Sequence, residues 1–170
     1  MLTSNFYIGR FLQTCRYVGG ASLLQVKNYG GNIATVTPTA TTDTRLIPEG
    51  VSNSTSPSAG YLMFGTNDAE ESITDYTLSL VGRTFTSTLG SYTINTQDKK
   101  IIVSRRYIIN NNISSPFTIK EFGIFEAIGG QSCLIYRGVI EAFTIEANET
   151  VNFDLTLEYD MPAEFESFVN

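Results

Sequence analysis

The chain has 170 residues, enough for one domain with its own core, and carries 11 Phe and 9 Tyr to fill it. A net charge of −6 sets it against phosphate backbones, and so against nonspecific nucleic-acid binding. With no histidine and two cysteines, the common zinc sites and the usual base of a nucleophile–base pair are excluded.

The N-terminal stretch has no basic start followed by an apolar core, so it does not read as a signal peptide. No apolar run is long enough for a bilayer span. The chain is therefore expected to be made and folded in a cytoplasm, without contact with membrane. Phe6, Tyr7, Ile8, Phe11 and Leu12 would share one face of a short helix, which Gly9 weakens. Gly19-Gly20 breaks the segment, Ala21 to Asn28 reads as a short strand, and Gly30-Gly31 as a turn. Thr35 to Thr42 suits a sheet edge, since Pro38 would interrupt a central strand. Val51 to Gly60 is Ser-rich and reads as a long exposed loop. Residues 1–60 are thus expected to be an N-terminal extension and loop, whose aromatic start docks on its own sheets or on a neighbour.

From Tyr61 the pattern changes. Tyr61 to Phe64 is an apolar strand, Gly65 to Asp68 a turn, and Asp68 to Asp75 an acidic loop. The loop offers the oxygen groups that calcium takes, but it lacks the spacing and glycine of an EF-hand. Its Asp and Thr side chains are expected to cap the loop's own backbone. Tyr76, Leu78 and Leu80 alternate with polar residues as a half-buried strand. Arg83 to Thr88 continues as strand, Leu89-Gly90 turns it, and Tyr92 and Ile94 follow. Asp98, Lys99 and Lys100 make a charged turn. Ile101, Val103, Tyr107 and Ile109 then lie on one side of the next strand. Asn110 to Asn112 and Ser114 to Pro116 signal another turn.

Phe117 to Glu126 and Ser132 to Ile145 are strand-like around a tight Gly129-Gly130 turn. After Ala147 to Thr150, Val151, Phe153, Leu155, Leu157 and Tyr159 alternate without a break with polar residues. Successive strand side chains point to opposite faces, so one face is apolar and the other wet. The expectation is an all-β chain: an antiparallel β-sandwich, jelly-roll-like, of about eight strands over residues 61–160.

A C-terminal tail, 161–170, follows Pro162, which ends the last strand. Phe165 and Phe168 are three apart and share a face of any helical turn. Phe6, Tyr7, Phe11, Phe165 and Phe168 are the candidate partner-contact residues. No catalytic, cofactor or metal residues are assigned. None of Lys27, Lys99, Lys100 and Lys120 sits in a serine–lysine motif, and no two of the 17 acids are marked as a pair. The sequence therefore reads as a non-enzyme. Cys15 and Cys133 read as reduced residues acting as small hydrophobes. The sequons at Asn53, Asn112 and Asn148 follow from composition.

Two stretches carry a resemblance. The first is Leu62, Met63, Phe64, Gly65, Thr66, Asn67, Asp68, followed by Asp75, Tyr76, Thr77, Leu78. The second is Phe117 to Phe125, then Leu134 to Val139, then the Asn148-Glu149-Thr150 turn into the final strand. Their order resembles small β-sandwich structural proteins of tailed bacteriophages, crAss-like phages included, and so does the opening Asn5-Phe6-Tyr7. In that family a G-T/S-G and D-Y-x-L segment precedes T-I-x-E-x-G-L-F, L-x-x-R and P-G-E-T. Here Asn67 replaces the second glycine, Ile124 the leucine, and Ala147-Asn148 the proline–glycine pair. The resemblance spans about 60–160. It implies a virion protein: capsid decoration, a head-fibre base, or a collar or tail component. It would be a homo-oligomer contacting capsid, portal or tail proteins. The alternative is a carbohydrate- or receptor-binding β-sandwich, with tyrosines standing in for the missing tryptophan. Glu121 and Arg137 fall on strands expected to be adjacent and would pair across the sheet.

Overall fold

The computed structural model describes residues 1–8, 24–36, 48, 50–51, 60–79, 86–97 and 100–160. The fold is all-β, with residues 4–8 forming a single helical turn among the described residues. The strands are β1 (Leu24–Lys27), β2 (Ile33–Val36), β3 (Gly50–Val51), β4 (Tyr61–Gly65), β5 (Thr86–Gln97), β6 (Lys100–Asn110), β7 (Phe117–Ile128), β8 (Gln131–Ile145) and β9 (Thr150–Asp160). They form a β1-β2 hairpin, a four-stranded sheet in the order β3-β4-β7-β8 and a three-stranded sheet in the order β5-β6-β9.

The period-two pattern of β9 is what the structure uses. Val151, Phe153 and Leu157 are half-buried against the core and Leu155 is buried, whereas Asn152, Asp154, Thr156 and Glu158 are exposed. β9 runs antiparallel to β6 with Tyr107 opposite Phe153 and Ile109 opposite Val151. The Phe153 ring meets Phe64 of β4 at 5.1 Å and Phe122 of β7 at 5.3 Å, both edge-on. One buried cluster therefore draws Leu62, Phe64, Ile119 and Ile124 from the larger sheet and Tyr107, Ile109 and Leu155 from the smaller. The Tyr107 hydroxyl donates to the Pro48 carbonyl at 2.9 Å, so the ring is buried without stranding its polar end.

Val26 and Val36 of the β1-β2 hairpin belong to the same cluster, and Phe6 and Ile8 pack against it. Asn5, buried, holds the hairpin in place. Its amide donates to the carbonyls of Lys27 and Leu134 and its oxygen accepts from Lys27 N–H. Residues 1–3 run beside β8, with Leu2 bridging Tyr136 and Thr3 N–H donating to Ile135.

Four expectations are corrected. Residues 76–79 form no strand; the Ser79 N–H is taken up by a side chain, as described below. Leu89-Gly90 is not a turn. β5 runs through it, with a register shift between Leu89 and Tyr92, as a bulge next to a strand glycine allows. Those two changes leave six strands over 61–160 among the described residues, where eight were expected. The pairing is not wholly antiparallel either, because the two-residue β3 lies parallel to β4 at Gly50–Tyr61 and Val51–Leu62. Asp98, Lys99, Leu80 to Phe85 and Met161 to Asn170 lie outside the described residues, as do Cys15 and most of Val51 to Gly60.

Candidate functional site

β7 and β8 are joined by the Gly129-Gly130 turn, with φ of 59° and 78°, where a left-handed backbone favours glycine. Two register irregularities interrupt their pairing, one of them between Ile119 and Glu121. Phe117 and Ile119 face the shared core before it, and Phe122 and Ile124 after it. Glu121, Gly123 and Phe125 are thereby placed on the opposite face. Leu134, Arg137 and Val139 of β8 share that second face.

The second face holds a buried polar centre. Arg137 is 3% exposed and Glu121 fully buried. Glu121 stands opposite Val139, two residues along from Arg137, a diagonal within reach of long side chains. Arg137 Nε donates to Glu121 Oε2 at 2.8 Å. One terminal nitrogen donates to Asp75 Oδ2 at 2.9 Å and to the Glu70 carbonyl at 3.2 Å; the other donates to the Ala69 carbonyl at 3.0 Å. The other Glu121 oxygen accepts Ser79 N–H at 2.7 Å and Asn67 N–H at 3.2 Å. Asp75 Oδ2 also accepts Ser72 N–H at 2.8 Å. Glutamate and arginine thus fix an irregular segment, 66–79, that no strand ladder holds.

Glu71 fastens the same segment from its other side. Its carboxylate accepts Val139 N–H at 2.8 Å and the Met1 ammonium at 2.7 Å. That ammonium also donates to the Arg137 carbonyl, and Arg137 N–H donates to the Met1 carbonyl at 2.9 Å. Burial alone would push the Glu71 carboxyl up; the bonds from the ammonium and from Val139 outweigh it and hold the group below its ordinary value. For Arg137, burial works against the charge, and the bonds to Glu121 and Asp75 prevail and raise its pKa.

Beneath the segment is a small apolar cluster: Leu78, Met63, Phe125 and Leu134. Gly123 lies under it. A Cβ there would stand 2.7 Å from Leu134 Cδ1 and 2.9 Å from Leu78 Cδ1. Gly65 lies under the Glu121 carboxylate, which a Cβ would displace. The glycines let the backbone come close to its cover.

The pair expected between Glu121 and Arg137 is present. The acidic loop caps its own backbone, through Asp75, which accepts Ser72 N–H as expected, but otherwise through Asn67, which accepts Ala69 N–H, and Ser72, which accepts Thr74 N–H, where threonine was expected. Asp68 pairs with Lys120 at 2.7 Å on the surface. Among the described residues no three His, Cys, Asp or Glu are placed to hold a metal ion. No helix among them is long and apolar enough to cross a membrane. Of the candidate contact residues, Phe6 is turned toward the core and Tyr7, edge-on to it at 5.5 Å, is 53% exposed. Phe11, Phe165 and Phe168 lie outside the described residues. Asn111 escaped the sequence reading, hidden in an ordinary Asn-rich turn. It is fully buried and its amide donates to the carbonyls of Ser115, Ile145 and Glu146.

Comparison with protein-family models, with curated proteins and with solved structures returns no match to this chain.

Proposed function

We propose that this chain is a structural protein of a bacteriophage virion, a jelly-roll-like β-sandwich that acts by protein–protein contact. It is not an enzyme in this reading. It forms a homo-oligomer held to capsid, portal or tail components, and it carries no cofactor. One observation supports the reading above the others. The residues on which the resemblance rests, far apart in sequence, meet at one place. Gly65 lies under Glu121, Glu121 binds Arg137, Arg137 binds Asp75, and Leu78 covers Gly123. Such convergence is what a fold-defining pattern produces, and it ties these side chains to shape instead of chemistry. The departure at the last turn fits as well. Asn148, standing where the pattern has glycine, has φ of 61°, and asparagine is among the residues that best tolerate that region.

The sandwich itself is supported by the rings of Phe64, Phe122 and Phe153, which close the space between the two larger sheets. The test is immunogold labelling of phage particles purified from the source culture, with antibody raised against the chain. Label on particles at a regular position is expected. Antigen that stays in the particle-free fraction, with no label on virions, refutes the proposal. Binding of the pure protein to a glycan array would favour the receptor-binding alternative.

A further inference from the structure

We infer that residues 66–79 are an acid-releasable strap, closed at neutral pH over the second face of the four-stranded sheet and opening before the sheets unfold. Three observations carry this. First, the strap has no place in a ladder. Its bonds to the sheet run through Glu121, Arg137, Val139 N–H and the Lys120–Asp68 pair. Second, those links are asymmetric in charge. The strap carries Asp68, Glu70, Glu71 and Asp75, and Asp68, Glu71 and Asp75 make ion pairs. Facing them are Lys120 and Glu121 of β7, Arg137 and Tyr136 of β8, and the Met1 ammonium. Lys27 of β1 sits 3.8 Å over the ring of Tyr76. Protonating Asp68 and Glu71 removes two of these negative charges and leaves the cations they were closed upon. Third, the strap covers something that water disfavours, since Leu78 closes over Met63, Phe125 and Leu134.

The sign follows from Glu71. Its carboxyl is held below its ordinary value in the closed form, so closure is fully supported above the ordinary value of 4.5. That support is lost as pH falls through the lower, closed-state value. Each unit of depression corresponds to about a tenfold change in the opening equilibrium. The long ladders of β5-β6-β9 and β7-β8 depend on backbone bonds and the shared core, which acid does not remove.

The experiment is hydrogen–deuterium exchange of the full chain at about pH 7 and about pH 3, corrected for intrinsic exchange rates, with dye binding to exposed apolar surface in parallel. Arg137→Met is avoided here, because it strands the buried Glu121 charge and threatens folding. Glu71→Gln and Asp68→Asn keep shape and remove charge. In the parent chain, peptides within 66–79 are expected to lose more protection on acidification than peptides of β7 do, with a rise in dye binding. In each variant the strap should be less protected already at neutral pH and should respond less to acid. Strap and strands losing protection together overturns the inference. So does a strap fully protected at low pH, or variants whose strap keeps the parent's pH response.

Discussion

Replacing Arg137 by methionine keeps most of the stem and removes five N–H donors and a charge. In the native protein the guanidinium makes four hydrogen bonds, two of them to carboxylates. Its loss leaves Glu121 fully buried with only the N–H groups of Asn67 and Ser79 for partners. Breaking a buried pair from one side costs about 3–5 kcal/mol, because a charge stays in a place without water. Against a domain stability of about 5–15 kcal/mol, that is a large fraction. Glu121→Gln is milder. Its amide oxygen keeps the two backbone bonds, Arg137 keeps Asp75, and the loss is the acceptor of the buried Arg137 Nε–H, about 1–3 kcal/mol. Arg106→Met is the control. Arg106 and Asp154 pair bidentately at 2.7 and 2.6 Å but at the surface, where such pairs contribute little and salt screens them. Guanidinium- and urea-induced unfolding of the three variants at neutral pH gives the ordering. Arg137→Met should fall furthest, with a loss that barely changes with added salt. A cost for Arg137→Met no larger than for Arg106→Met would refute the idea that this centre holds the strap and the β7-β8 face together.

Leu155→Ala on β9 should cost about 2–5 kcal/mol in the same unfolding assay, since it empties part of the shared core, whereas Asp154→Ala on the wet face should cost far less. Equal shifts would mean the faces of β9 are wrongly assigned. Gly123→Ala should destabilise by about 1–3 kcal/mol, because the new methyl meets Leu134 and Leu78 with no room between. The Cys133 thiol, buried and pushed up to about 12, should not react with a disulfide reagent near pH 8 in the native protein and should react on unfolding. Fast labelling of Cys133 in the folded chain would contradict its placement.

The legible elements were those whose pattern reports local geometry. The alternation of 151–158, the Gly129-Gly130 and Gly30-Gly31 turns and the apolar run 61–64 all became what their residues suggested. The misread ones were decided by partners distant in sequence. Tyr76 and Leu78 alternate with Thr77 and Ser79 as a strand does, yet Ser79 N–H goes to a glutamate 42 residues away, and among the described residues of that run Leu78 alone is buried. Parity along β7 would put Glu121 and Gly123 on the face of Phe117 and Ile119. The irregular register near Lys120 reverses it, and no residue there announces a bulge. Glu121 and Arg137 were legible as a pair because strand adjacency suffices to predict one. Asp75 was not, since it joins from 62 residues upstream through an irregular segment.

The residues that look most like a pattern are therefore those least available to a partner. A glutamate and an arginine at 0% and 3% exposure cannot touch another protein while the strap is closed. Their groups are committed to Asn67, Ser79, Asp75, Ala69 and Glu70. Conversely, the side chains that do reach solvent with apolar area, among them Tyr7, Ile33 and Ile73, stand on the helical turn, the β1-β2 hairpin and the strap. Ser4 N–H donates to the Ile73 carbonyl, and Tyr29 N–H to that of Ser132, so two of these elements are tied to the strap or to β8. The buried centre sets the shape of the segment, and the exposed apolar side chains around it are the ones open to a partner.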